Sequence, residues 1–210
     1  MGLVARVRGH DPGHVVDALA GGPVAGARVR VAIPGAEAIY AMADDGGQFL
    51  VNNLKAGPYA LIVQGRGYLE SRVMAAGPEA GAANPRIALT RYAVIAGRVT
   101  DSEGYPEIST VVRTFAKGTT SSDWHSADER GEFRSGPLAP GVYYLAAKVD
   151  RGAGERVTYY PGVIDEASAR PLTVVAGQVL RVELRTVPDG GVIVAGAITA
   201  PGGRPVAVCR

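Results

Sequence analysis

Three short clusters of polar residues have the types and spacing to do chemistry. His10-Asp11-Pro12-Gly13-His14 brings two imidazoles and a carboxylate together, a set suited to a metal ion or an acid/base pair. Pro12 and Gly13 block the helical i, i+4 geometry that would aim both rings at one ion, so the segment reads as a solvated lead-in. Asp44-Asp45 and Asp128-Glu129 are paired carboxylates of the kind used for hydrolysis or calcium binding. One acid of each pair is expected to accept turn hydrogen bonds, and no further oxygen ligands follow at calcium-loop spacing. Ser121-Ser122-Asp123-Trp124-His125 holds a hydroxyl, a carboxylate and an imidazole, but neighbours so close along a chain seldom converge as a triad. The expectation is therefore no catalytic residue, no metal site and no cofactor.

The aromatic residues are a more suggestive set. Trp124 is the only tryptophan and lies in a polar segment. Tyr144 should face away from the core side of Tyr143, and Tyr159-Tyr160-Pro161 falls in a connection that should leave at least one ring exposed. Exposed rings can stack on the apolar faces of sugars, so Trp124, Tyr144, Tyr159 and Tyr160 are the candidate carbohydrate-binding residues. The alternative is that Trp124 packs over a sheet edge while the tyrosines seal an interface between units.

The elements that position these residues are announced by a repeat. Asp44-Asp45-Gly46-Gly47-Gln48-Phe49, followed by Leu54, Gly57, Tyr59 and Leu61, returns 84 residues later as Asp128-Glu129-Arg130-Gly131-Glu132-Phe133, followed by Leu138, Gly141, Tyr143 and Leu145. A recurring unit of this size is one small domain copied. Each acid followed by a glycine and a phenylalanine predicts an Asx-type turn entering a strand, with Phe49 and Phe133 pointing inward. Period-two alternation then places Tyr59, Leu61 and Val63, or Tyr143, Leu145 and Ala147, on one core face. Strands are expected at Ala27–Ala32, Ser109–Thr114, Arg86–Leu89, Leu172–Val175 and Val179–Leu184, and no long stretch reads as an amphipathic helix. A third opening, Gly196-Ala197-Ile198-Thr199 with Gly203 and Pro205, matches Gly97, Val99, Thr100, Gly104 and Pro106 at a shift of 99.

Composition narrows the function classes. The net charge of +2 comes from 22 basic and 20 acidic residues spread without a run of one sign, which argues against nucleic acid as a partner. Arginines that alternate with apolar residues, as in Ala27-Arg28-Val29-Arg30-Val31, read as solvated outer faces of strands. The single cysteine, Cys209, has no internal disulfide partner. No apolar run is long enough to span a bilayer, and Met1–Val16 lacks the pattern of a signal peptide, so the expectation is an internal piece of a longer exported protein.

The pattern Gly-x-Val-x-Asp at Gly13 and Gly97, the Gly-x-Pro turn at Gly104-Tyr105-Pro106, Asp-x-x-Gly-x-Phe, Leu-x-x-Gly-x-Tyr-x-Leu and Gly67-Tyr68 resembles the carboxypeptidase regulatory-like domain. The resemblance implies an all-β fold: two tandem prealbumin-like (transthyretin-like) Greek-key β-sandwiches of about seven strands each, akin to carbohydrate-binding-like folds. The divisions expected are 1–90, 91–187 and a truncated third repeat at 188–210. Such domains accompany carboxypeptidase catalytic domains, stand at the amino end of outer-membrane receptors, or form arrays on exported bacterial proteins as spacers, docking surfaces or sugar contacts. The His-x-x-Glu of a carboxypeptidase has no counterpart, because His10, His14 and His125 lack Glu at the third following position. Arg28 and Arg30 stand where related surface domains carry a crosslinking lysine. The reading is a non-catalytic structural spacer or interaction surface, whose partner is a polysaccharide or another protein domain; an amino-terminal receptor appendage is the alternative.

Overall fold

The computed structural model describes residues 13–51, 59–75, 85–117, 119, 122–150 and 155–187. The third opening, His10, Leu54 and Gly57 lie outside them. The described residues are β-structure apart from turns and a short 3-10 helix at Glu166–Ser168. The first sandwich holds β1 (Gly13–Asp17), β2 (Arg28–Ala32), β3 (Ile39–Met42), β4 (Gln48–Phe49), β5 (Tyr59–Gln64), β6 (Ser71–Ala75) and β7 (Arg86–Leu89). The second holds β8 (Ala93–Thr100), β9 (Thr110–Phe115), β10 (Ser122–Ser126), β11 (Glu132–Leu138), β12 (Gly141–Asp150), β13 (Glu155–Tyr159), β14 (Leu172–Val174) and β15 (Val179–Arg185).

Each sandwich sets a three-stranded sheet against a larger one. The first pairs β4-β1-β7 with β3-β2-β5-β6, and the second pairs β11-β8-β15 with β10-β9-β12-β13, while β14 adds to the start of β12. In both, the first strand runs parallel to the last, β1 beside β7 and β8 beside β15, and the other pairings are antiparallel. Alternation does what the sequence predicts. Val29, Val31, Leu61 and Val63 fill the first core, and Val112, Leu145, Ala147 and Leu184 fill the second. The second sandwich also buries hydroxyls without partners at Thr110, Thr114 and Ser135.

The repeated motif accounts for itself in bonds. Asp44 Oδ1 accepts from the backbone N–H groups of Gly46 (2.9 Å) and Gln48 (2.8 Å), and Asp128 Oδ1 accepts from Arg130 (2.9 Å) and Glu132 (2.8 Å). The turn ends in a glycine with φ of 72° in both copies, Gly47 and Gly131. The carbonyl of that glycine accepts from Val15 or Val99, 2.8 Å in each case, tying the turn to the first strand of its sandwich. The phenylalanine then lands directly opposite a glycine across the ladder, Phe49 against Gly13 and Phe133 against Gly97. Each ring lies over backbone that the glycine leaves bare, an aromatic cover for a strand glycine, and both rings are only 5% exposed.

The two sandwiches meet at Thr90-Arg91-Tyr92. This connection pairs with Gly67-Tyr68-Leu69: Leu69 N–H donates to the Thr90 carbonyl (2.8 Å) and Tyr92 N–H to that of Gly67 (3.2 Å). Arg91 Nε donates to Asp17 Oδ2 (2.5 Å), which also accepts from Tyr68 Oη (2.8 Å), while Asp17 Oδ1 accepts from Leu19 and Ala20 N–H (2.8 Å each). The Arg91 side chain also lies against the β14–β15 turn, where a Cβ on Gly177 would stand 3.2 Å from Arg91 Cδ. One arginine thus touches both sandwiches.

The N–H of Ala20, then Arg91 and Tyr68, hold the Asp17 carboxyl well below the usual carboxylate range despite its burial. A carboxylate so depressed stabilises the fold above its ordinary pKa of about 4, and that contribution is lost as pH falls toward the folded-state value. Asp17→Asn keeps an acceptor for Leu19 and Ala20 but removes the charge. In calorimetry the melt of the first sandwich is expected to drop at pH 7, and the gap to wild type to narrow below about pH 4. A gap independent of pH would contradict this account.

Candidate functional site

The chemistry of the surface concentrates on the outer face of β10-β9-β12-β13. Register places Trp124, Arg113, Ala146 and Tyr159 in one row across the four strands, and Phe115 opposite Tyr144 in the next. These residues alternate with Val112, Thr114, Leu145 and Ala147, which point into the sandwich, so all of them face outward. Phe115 and Tyr144 stack with centroids 5.8 Å apart, and Phe115 meets Tyr159 edge-on at 6.5 Å. Under those tyrosines Phe115 is only 4% exposed, although it stands on the outer side of its sheet.

Arg113 lies between the rings. Its Cζ is 4.4 Å from the Phe115 centroid and 5.7 Å from that of Trp124, cation–π contacts worth about 0.5–2 kcal/mol each. Its Nε is buried without a hydrogen-bond partner. Trp124, on the edge strand β10, remains 50% exposed. Tyr159 Oη donates to Glu166 Oε2 (3.3 Å), and burial, reinforced by Glu166, pushes its phenol up.

The structure therefore divides the four aromatic candidates. Trp124, Tyr144 and Tyr159 share one face. Tyr160 does not join them: it packs against the second core, with its N–H on the Leu145 carbonyl (2.9 Å), because the strand alternation that sends Tyr159 outward turns its neighbour inward. Arg113 and Phe115, which hold the set together, were not among the sequence candidates; the alternation Val111-Arg113-Phe115 was the available signal.

Beside Trp124 runs an open groove of about 1030 Å³ over the outer face of β11-β8-β15. Its charges are arranged by row: Arg134 and Arg181 flank Ala96, and Glu132 and Glu183 flank Arg98. Asp128, also on the groove, has one oxygen bound into its turn, and His125 alternates with Trp124 toward Val112. The described residues contain no cluster of three potential metal ligands, and no helix among them is long and apolar enough to cross a membrane.

The same outer face of the first sandwich repeats one element of this site. Tyr40 on β3 stands opposite Arg30 on β2, as Trp124 stands opposite Arg113, and Tyr40 is 63% exposed.

Residues 12–90 match the family model of the carboxypeptidase regulatory-like domain. No curated protein matches the chain. Among solved structures the chain is similar to GBS52, the minor pilin of Streptococcus agalactiae, at 14% identity over 83% of this chain and 89% of that one, with a TM-score of 0.40. It is also similar to a streptococcal ancillary pilin, at 13% identity over 86% of this chain and 62% of that one, TM-score 0.40. For the Bacillus anthracis TIE protein the values are 13%, 84% and 33%, with a TM-score of 0.35.

Proposed function

We propose that this chain is a non-catalytic tandem stretch of a longer exported bacterial protein, divided at 1–90, 91–187 and 188–210, that spaces its neighbours and presents an interaction surface. The observation that carries the reading is the use of the repeated residues. Asp44 and Asp128 are bound into turns, Phe49 and Phe133 cover Gly13 and Gly97, and the duplicated pattern is spent on building sandwiches. The match of residues 12–90 to a domain that occurs as an appendage supports the same reading. The test is replacement of residues 13–187 in the parent protein by two unrelated sandwiches of similar length. A spacer is expected to keep the distal part as accessible to antibody at the cell surface as in wild type; lost accessibility would remove the reading.

A second reading, carbohydrate recognition by the second sandwich, is favoured by the placement of Trp124, Tyr144 and Tyr159 on one face with Trp124 half exposed.

A further inference from the structure

We propose that Arg113, held between Phe115 and Trp124, receives the carboxylate of an acidic polysaccharide whose sugar ring stacks on Trp124. The proposal rests on the carbohydrate reading above and specifies its ligand class.

Three observations carry it. A guanidinium normally found beside an acid here lies against two aromatic faces, with its Nε buried and unpartnered. The planar fork of arginine suits a carboxylate, which can accept two parallel N–H bonds, and the aromatic flanks hold that fork in place before the ligand arrives. Next, Trp124 offers an open ring beside this donor, whereas Phe115 is already covered by Tyr144 and Tyr159. The negative face of an indole attracts the weakly positive C–H groups on one side of a pyranose. One open ring beside one guanidinium flanked by aromatic faces matches a single sugar unit bearing a carboxylate. A nucleic acid would call for a row of cations along its phosphates. Finally, the arginine–aromatic pair recurs in register as Arg30 and Tyr40 on the corresponding strands of the first sandwich, so a polymer would find the same pair of groups on both units.

The probe is polygalacturonate, titrated into the full chain by calorimetry and followed through Trp124 fluorescence. Its carboxyl-reduced form, with the same backbone but no charge, is the first control, and polyglutamate is the second. Binding of polygalacturonate at least tenfold tighter than of either control is expected. Arg113→Gln should lose that preference, Arg113→Lys should retain part of it, and Trp124→Ala should weaken binding while an unchanged melt shows that the sandwich is intact. Equal binding of the acidic and reduced polymers overturns the proposal and leaves the carbohydrate reading standing. Absence of binding to both overturns the two together. Equal binding of polyglutamate, or an Arg113→Gln variant that folds and binds as wild type, also overturns the proposal.

Discussion

Phe133→Ala is expected to cost the second sandwich about 3–5 kcal/mol, most of the stability available to a domain of this size. The ring is buried, and it is the cover of Gly97: without it, the backbone between β8 and β11 faces a void lined by Val182 and the first residues of β11. The sole tryptophan gives a selective readout, because Trp124 belongs to the same sandwich. In urea, with a slope of about 1–3 kcal/mol per molar, the fluorescence midpoint should fall by more than about 1 M, while Phe49→Ala, the equivalent change in the first sandwich, should leave it in place. A midpoint for Phe133→Ala within about 0.3 M of wild type would show that the ring does not carry the core.

Gly131→Ala is expected to be comparably damaging, for a different reason. A left-handed backbone costs a non-glycine residue about 1–2 kcal/mol, and here the added Cβ would also stand 2.3 Å from the Val99 carbonyl oxygen, far inside contact distance. That oxygen accepts from Glu107 N–H (3.0 Å), so relieving the clash breaks a bond between the turn and the sheet. Gly104 supplies the comparison. Its φ of 93° is also positive, but a Cβ there meets open space, so Gly104→Ala should show the conformational cost alone. Equal loss of urea stability in the two variants would mean that the contact with Val99 is easily relieved.

Much of this was legible in the residues. The turn acids, the inward phenylalanines and the core alternation at Tyr59, Leu61 and Val63 follow from local rules, and β7 occupies the predicted Arg86–Leu89. What could not be read was partnership across strands. The sequence placed Phe133 inward, but that Gly97 lies beneath it is decided by register. Arg113 looked like any arginine on a solvated strand face; its place beside Trp124 depends on the register of β10 on β9. Tyr159 and Tyr160 are consecutive and of the same type, and only the end of β13 decides which one turns inward. Asp17 and Asp101 occupy the same motif position, yet Asp17 binds Arg91 and Tyr68 while Asp101 accepts only from Glu103 and Tyr105 N–H (2.9 Å each), a divergence that depends on which residues the linker delivers.

The parallel closure of each sandwich has a mechanical consequence. The chain enters at the start of the first strand and leaves at the far end of its parallel neighbour, so tension applied along the polypeptide slides the two strands past each other in shear. Interstrand bonds are then loaded together instead of being peeled one after another. The β1–β7 ladder runs from His14 opposite Arg86 to Asp17 opposite Leu89, whereas the β8–β15 ladder runs from Val94 opposite Val179 to Thr100 opposite Arg185. The shorter ladder of the first sandwich has fewer paired residues to share such a load.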